Sequence, residues 1–196
     1  MKNRKLSFTL IEILVVIGII LLLAAIILPA VNGAVKKADQ TKAKAEITTL
    51  VNAIKQYEAT YGYLPKGPWF KSDTVGNAEY NVIDNDNYYD DLVKCLQAEE
   101  ATPTYNLKKQ QFLEVVGNTP GEYKDPWGND YKVVICRDNT GKITSNPAID
   151  GLDYTGTIYQ SVIVWSEGAD ASDNKDNVYS LPVVWDKDAK KYKIGK

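Results

Sequence analysis

The chain has 196 residues, of which 24% are charged and 10% aromatic, a composition typical of a folded protein rather than a disordered one. It contains no histidine, which excludes histidine-ligated zinc sites and every catalytic arrangement that uses a histidine base. The formal net charge is −2, but from Lys66 to Lys196 there are 15 basic and 21 acidic residues, and this acidic balance argues against nucleic acid as a partner.

The N-terminus combines a short basic segment with a long apolar one. Residues 1–7 carry Lys2, Arg4 and Lys5 and no acid, and the 24 residues from Phe8 to Val31 carry one charge, Glu12. A run of this length matches the roughly 20 residues that span a bilayer and exceeds the apolar core of a cleaved secretory signal. The positive-inside rule places residues 1–7 in the cytoplasm and the rest of the chain across the membrane.

Glu12 is not explained by a simple anchor. A charged side chain at the centre of a bilayer costs roughly 2.5 to 3.5 kcal/mol on insertion scales, and somewhat less near the end of a span. A carboxylate in this position therefore indicates a function beyond anchoring.

The stretch "FTLIEILVVIGIILLLAAIILPAV" resembles the N-terminus of type IV pilins and of the pseudopilins of type II secretion systems. The resemblance rests on the short basic leader, on Phe8 after the junction, on Glu12 as the fifth residue from it, and on Pro29 late in the apolar helix. It implies that a prepilin peptidase cuts between Ser7 and Phe8 and methylates the new amine. Ser7 stands where the family usually has glycine.

The same resemblance implies a role for Glu12 in assembly. In a filament, the carboxylate of Glu12 would approach the Phe8 amine of a neighbouring subunit, and this pairing would set the axial register. The alternative is a carboxylate that only reaches the lipid head groups. Gly18 and Pro29 predict a bend or a loosened stretch between them, and a straight helix that tolerates both is the alternative.

The helix is predicted to continue beyond the membrane as an amphipathic half. Apolar residues recur at spacings of three and four, and Gly62 and Pro65 mark the end, so one helix from about Phe8 to Tyr61 is expected. The predicted inward face consists of Ile47, Leu50, Val51, Ile54, Tyr57 and Tyr61. The predicted organisation is a leader over residues 1–7, a transmembrane or filament-core half over 8–31, an amphipathic half over 32–62 and a globular domain over 63–196.

The rest of the chain is predicted to be a loop over residues 66–89, a short helix that begins at Asp90, and then strands. Stretches rich in β-branched and aromatic residues predict strands over 131–137, 159–166 and 179–185, with a further edge strand in "KYKIG". Strands without long intervening helices indicate an antiparallel sheet. The predicted fold class is therefore α+β, with the long N-terminal helix packed on a small antiparallel sheet, as in pilins.

Two distal motifs are similar to segments of the major pseudopilin of type II secretion. "KDPWGNDY", residues 124–131, predicts a tight turn at Asp125-Pro126 and Gly128-Asn129, with Trp127 over the end of the core. "WSEGADASDNKDN", residues 165–177, is similar to a loop that binds one calcium ion in that family. The resemblance gives three candidate ligands, Asp170, Asp173 and Asp176; Asn177 and the carbonyls of Glu167 and Ser172 are further candidates. The alternative is a solvated acidic loop without metal.

The cysteines leave two possibilities open. Cys95 and Cys136 do not form a CxxC pair, so they indicate either a disulfide or two buried thiols.

Three functions compete at this stage. The resemblance favours a structural subunit of a type II secretion pseudopilus, with a type IV pilin of a surface fibre for adhesion, motility or DNA uptake as the alternative. Its implied partners are copies of itself, other pseudopilins, the prepilin peptidase and an assembly-platform protein of the bacterial inner membrane, and its domain would be extracytoplasmic. A membrane-anchored enzyme is the third hypothesis, and it is disfavoured because no nucleophile, phosphate-binding or paired-acid motif stands out.

Overall fold

The computed structural model describes residues 9–67, 80–83, 86–99, 105–114, 119–136, 140–143, 149, 151–154 and 156–195. The chain divides into two compact units, residues 1–39 and 40–196. The described elements are α1 (Leu10–Tyr61), β1 (Tyr80–Ile83), α2 (Asp86–Gln97), β2 (Lys132–Cys136), β3 (Leu152–Asp153), β4 (Val162–Ser166), a 3-10 helix (Asn174–Asp176), β5 (Val178–Tyr179), β6 (Val183–Asp186) and β7 (Lys191–Ile194).

Helix α1 has 52 residues, about 78 Å at 1.5 Å per residue. Its C-terminal end at Tyr61 is where the sequence predicts it, because Gly62 adopts a left-handed conformation (φ 77°) and its N–H donates to the carbonyl of Glu58 at 2.7 Å. Phe8, the predicted start, lies outside the described residues. The helical assignment is continuous through Gly18 and Pro29, and the bend between them stays a prediction.

The part of α1 in the first unit is apolar and exposed. Among the described residues, this is the helix that is long and apolar enough to cross a membrane, and none of its apolar window is buried within the chain. Exposure of this kind is unfavourable in water, so this surface needs a lipid or protein environment.

The part of α1 in the second unit has one buried face. Ile47, Leu50, Ile54 and Tyr57 are fully buried, and Val51 and Tyr61 pack at the edge of the same core, which confirms the predicted face. On the polar side, Lys44 donates to the carbonyl of Tyr179, and partial burial lowers the pKa of this lysine.

The region predicted as a loop over residues 66–89 contains regular structure, so that prediction is wrong in part. Strand β1 pairs with β2, and α2 begins at Asp86 rather than at Asp90. Tyr89 is fully buried and its hydroxyl donates to the carbonyl of Tyr123 at 2.6 Å, so a tertiary contact holds the first turns of a helix that Asp and Asn disfavour. Helix α2 buries Leu92, Val93 and Leu96 in the core.

The larger sheet has the strand order β1-β2-β4-β5, and all its pairs are antiparallel. Strand β4 is buried along its whole length, and its neighbour β2 is buried from Val133 to Cys136. This sheet confirms the α+β prediction of a helix with a small antiparallel sheet.

The C-terminal strands differ from the prediction. The stretch 179–185 does not form one strand, because it is divided between β5 in the larger sheet and β6 in a second sheet of order β3-β7-β6. The predicted edge strand β7 is the central strand of this second sheet, antiparallel to β6 and parallel to β3. Pro182 lies between β5 and β6 and lacks a backbone donor for a continuous ladder.

Residues 105–114 form an irregular segment held by one buried side chain. Asn106 donates to the carbonyls of Cys95 (2.8 Å) and Gln110 (2.7 Å), and its Oδ1 accepts from the Tyr61 hydroxyl at 2.7 Å. The described residues 105–114 contain neither a helix nor a strand.

Candidate functional site

The N-terminal end of α1 carries a capping box that the sequence reading missed. The backbone N–H and the hydroxyl of Thr9 both donate to Oε2 of Glu12, at 2.8 and 2.7 Å. In return, the N–H of Glu12 donates to Oγ1 of Thr9 at 3.3 Å. The signal was available in the sequence, because Thr-x-x-Glu at a helix start is the pattern of a capping box.

This arrangement gives Glu12 a partner within its own chain. Its carboxylate lies at the positive end of the helix dipole and accepts from groups that the helix would otherwise leave unsatisfied. Within the described residues Oε1 makes no hydrogen bond, so one carboxylate oxygen remains available for a further donor. The cost of placing Glu12 in an apolar segment is thus reduced before any neighbouring subunit is present.

The other N-terminal candidates are less defined. Ser7 and Phe8, the predicted cleavage pair, lie outside the described residues. Pro29 lies inside α1, and its side chain is not described.

The segment 124–131 forms the predicted tight turn. Gly128 N–H donates to the carbonyl of Asp125 at 3.0 Å, with Pro126 at the second position of the turn. Oδ1 of Asp125 accepts from the N–H groups of Trp127 (3.0 Å) and Asn129 (2.8 Å). Trp127 is half-buried and lies outside the hydrophobic cluster of the described residues, so its predicted place over the core is wrong.

The turn is joined to the acidic loop, residues 167–177, by Ser166 at the end of β4. Ser166 is fully buried, and its hydroxyl donates to Oδ2 of Asp125 at 2.6 Å. Oγ of Ser166 in turn accepts from the N–H of Gly168 at 3.0 Å. The two distal motifs, separate in the sequence, therefore form one continuous site.

The three candidate calcium ligands occupy different local environments. Asp170 is exposed and accepts from the N–H and hydroxyl of Ser172, bonds that lower its pKa. Asp173 is exposed and caps the 3-10 helix by accepting from the N–H of Lys175 at 3.2 Å. Asp176 turns inward, where its Oδ2 accepts from the N–H of Ala169 at 3.0 Å, and burial raises the pKa of this carboxyl.

The acidic loop offers carboxylate and carbonyl oxygens, and one carboxylate oxygen of Asp176 lies inside it. Oδ1 of Asp176 is buried and has no hydrogen-bond partner among the described residues, which is unfavourable for a carboxylate oxygen without a cation or a donor. Carboxylate and carbonyl oxygens are the ligands that Ca²⁺ prefers. Within the described part of the chain, Asp170, Asp173 and Asp176 do not form a group of three acids that could hold a metal ion.

The structure shows the state of the two cysteines. Cys95 in α2 and Cys136 in β2 are both buried, and the two are not joined in a disulfide. Of the two possibilities that the sequence left open, the structure shows two buried thiols.

Comparison with known proteins identifies the family. The model of the prokaryotic N-terminal methylation motif matches residues 2–28, which include Ser7, Phe8, Glu12 and the Thr9 cap. The chain is 30% identical to the type II secretion system core protein G of Aeromonas hydrophila over 135 residues, which are 68% of this chain and 75% of the relative. The chain belongs to the type II secretion system core protein G family.

Two further members of the family give the same result. The core proteins G of Vibrio cholerae and Escherichia coli are each 30% identical to this chain. The alignments cover 66% and 67% of this chain, and 70% and 73% of the two relatives. No solved structure matches the chain.

Membership of the core protein G family confirms the resemblance to the major pseudopilin. The relatives bear the name of a core protein of the type II secretion system. The N-terminal motif together with the exposed apolar helix indicates a membrane-anchored protein.

Proposed function

We propose that this chain is a structural subunit of a type II secretion pseudopilus, processed by a prepilin peptidase and polymerised through the first half of α1. The observation that carries the proposal is the exposed apolar part of α1 with one carboxylate at its N-terminal end. An apolar surface of this length needs lipid before assembly and packed helices after it. The core protein G relatives favour a secretion pseudopilus over a surface fibre.

Processing occurs between Ser7 and Phe8 in this proposal. Cleavage removes Lys2, Arg4 and Lys5 and leaves an amine on Phe8, which the peptidase methylates. Mass spectrometry of the membrane-extracted protein tests this step. The expected mass lacks residues 1–7 and gains one methyl group, and an intact leader in cells that contain the peptidase would refute it.

Before assembly, the subunit spans the bacterial inner membrane once, with its N-terminus in the cytoplasm and residues 40–196 on the other side. The basic leader supports this orientation. The proposed partners are copies of the chain, other pseudopilins, the prepilin peptidase and an assembly-platform membrane protein. We propose a structural role for this chain and no enzymatic one.

On assembly, Glu12 keeps its hydrogen bonds to Thr9 and gains a second partner in a neighbouring subunit. Its Oε2 continues to accept from Thr9, and its Oε1 accepts a hydrogen bond from the Phe8 amine of a neighbouring subunit. A charge-assisted bond in low dielectric is stronger than one in water, so the pair fixes the register of adjacent helices.

The variants Glu12→Ala and Thr9→Val separate the two roles of this carboxylate. Glu12→Ala removes the carboxylate half of the capping box and the intersubunit charge, whereas Thr9→Val removes only the hydroxyl half of the box. We expect both to insert and to be processed, but only Glu12→Ala to lose filaments and secretion. Sedimentation of sheared filaments and a secretion assay give the readout. Normal filaments from Glu12→Ala would refute the role in assembly, and equal defects in both variants would reduce Glu12 to a helix cap.

We also propose that the acidic loop binds one Ca²⁺, with Asp176 as the buried ligand and Asp170 and Asp173 as the other candidate carboxylates. A bound cation would compensate the buried Oδ1 of Asp176 and stabilise the loop. The melting temperature of the full chain in detergent, with added calcium or with chelator, tests this. We expect a rise with calcium in the wild type and a smaller one in Asp176→Asn; no rise in the wild type would refute the site.

A further inference from the structure

Asp125 and Ser166 form a buried polar pair that connects the turn at 124–131 to the acidic loop. The exposed fraction of Asp125 is 5% and that of Ser166 is 0%. Oδ1 of Asp125 accepts from two amides of its own turn, while Oδ2 accepts from Ser166. A buried carboxylate is tolerated when both oxygens are hydrogen-bonded, so the pair is satisfied as a unit.

Ser166 connects the buried carboxylate of Asp125 to the backbone of the acidic loop. Its Oγ donates to Asp125 and accepts from the N–H of Gly168, so one hydroxyl fixes both groups. A second bond holds the other side of the same residue, because Nδ2 of Asn129, in the turn, donates to the carbonyl of Gly168 at 3.2 Å. The turn therefore holds the C=O of Gly168 directly through Asn129, and its N–H indirectly through Ser166.

The side chain of Asp176 packs directly against the backbone of Gly168. A Cβ at this position would lie 2.6 Å from Cγ and Oδ1 of Asp176 and 2.8 Å from its backbone carbonyl. The adjacent N–H of Ala169 donates to Oδ2 of Asp176. The position of the Gly168 backbone thus determines where the inward-facing carboxylate lies.

We infer that Asp125 is a positioning residue for the acidic loop: through Ser166 and the Gly168 peptide, it holds the backbone in the conformation that keeps Asp176 turned inward. The inference rests on the proposed function where the use of this loop is to bind calcium. The coupling itself is a property of the chain without a metal. Among the described residues, no hydrogen bond joins Asp125 to Asp170, Asp173 or Asp176, and its effect on Asp176 passes through the Ser166 hydroxyl and the backbone of Gly168 and Ala169.

Amide hydrogen exchange at Ala169 distinguishes positioning from a general effect on stability. In Ser166→Ala and in Asp125→Asn the acceptor of the Ala169 N–H, Oδ2 of Asp176, is still present. Faster exchange at Ala169 therefore reports a displaced loop and not a deleted partner. Asp125→Asn keeps the oxygen that accepts from the turn amides but loses the acceptor for Ser166, so it disturbs the connection more than the turn.

Ser180→Ala is the matched control, since Oγ of Ser180 accepts from the N–H of Val164 at 3.0 Å and takes no part in this network. Exchange is measured on the full chain in detergent and normalised to the most protected amides of each variant. We expect Ala169 to exchange about fivefold faster in Ser166→Ala and Asp125→Asn, and within about twofold of wild type in Ser180→Ala. An unchanged Ala169 rate in Asp125→Asn would overturn the inference.

A calcium titration of the same variants separates the inference from the proposal beneath it. If calcium raises the melting temperature of the wild type, we expect a smaller rise in Asp125→Asn and an undiminished rise in Ser180→Ala. An undiminished rise in Asp125→Asn would contradict positioning toward the ion. If the wild type shows no rise, the calcium site is refuted, and the exchange rate of Ala169 alone decides whether Asp125 positions the loop.

Discussion

The hydroxyl of Tyr131 donates a hydrogen bond of 2.7 Å to Oε2 of Glu46, a residue 85 positions earlier on the long helix. Tyr131 is fully buried directly before β2, and Glu46 lies at the edge of the buried face of α1. This bond joins the helix to the turn that carries Asp125. Burial and the neighbouring Glu46 raise the pKa of Tyr131 far above its ordinary value, so it remains a donor at neutral pH.

Tyr131→Phe should destabilise the domain by about 1 kcal/mol, because it removes one buried donor to a charged acceptor without leaving a cavity. Tyr123→Phe is the control, since the Tyr123 hydroxyl makes a longer bond of 3.3 Å to the backbone carbonyl of the same Glu46. Chemical denaturation of the full chain in detergent gives both values. If Tyr123→Phe lowered the free energy of unfolding as much as Tyr131→Phe, the bond to Oε2 would stabilise the domain no more than the longer bond to the carbonyl.

Gly168→Ala should cost more stability than Gly128→Ala, although both glycines have left-handed backbones, with φ of 74° and 91°. The Cβ of an alanine at 128 has no atom within 4 Å, so this variant loses only about 1–2 kcal/mol through backbone strain. An alanine at 168 has the same backbone strain, and its Cβ also clashes with Asp176. Thermal unfolding of the two variants gives the difference, and equal losses would mean that the loop relaxes freely around residue 168.

The domain should lose stability in alkali from about pH 10 upward. Burial raises the pKa of Tyr123 to about 12 and that of Tyr57, Tyr89 and Tyr131 further, whereas the ordinary value is 10.0. A group with a raised pKa in the folded state stabilises fully below its unfolded value and loses this contribution as pH rises through its folded value. Tyrosinate absorbance should therefore appear for these residues only with the loss of structure. Ionisation of all tyrosines near pH 10 in the folded domain would contradict this.

Cys95 and Cys136 should be unreactive in the folded chain and should react as two thiols in denaturant. Both side chains are buried thiols, so a thiol reagent reaches neither until the domain opens. A reductant should leave the melting temperature unchanged. A lower melting temperature in reductant would indicate that the two residues are joined in the cell-derived protein.

Local patterns were sufficient where a property depends on neighbouring residues. The length of the apolar run, the isolated Glu12 and the stop signal at Gly62 predicted the anchoring helix and its end, because helix periodicity and capping act within a few residues. The same reasoning found the turn at Asp125 and strands β2 and β4. It would also have found the Thr9 cap, whose partner is three residues away.

Local patterns failed where pairing with distant segments decides the structure. Strand β1 is a four-residue segment that becomes a strand because β2 offers it a partner, and α2 begins early because Tyr89 reaches Tyr123. The stretch 179–185 reads as one strand, yet its two halves pair with different sheets. Trp127 is a large apolar residue of the kind that fills a core, and the turn leaves it only partly buried and outside the hydrophobic cluster of the described residues.

The sequence by itself determined that this protein is an anchored pilin-like subunit with a carboxylate near its processed end, since that information lies in one contiguous stretch. Only the tertiary structure decided that Asp125 meets Ser166 and that Tyr131 meets Glu46. Such contacts depend on the register of strands and on the packing of the sheet against the helix. The physical reason is that a hydrogen bond tolerates only a few tenths of an ångström and a limited angle, and the packing of the whole domain sets both.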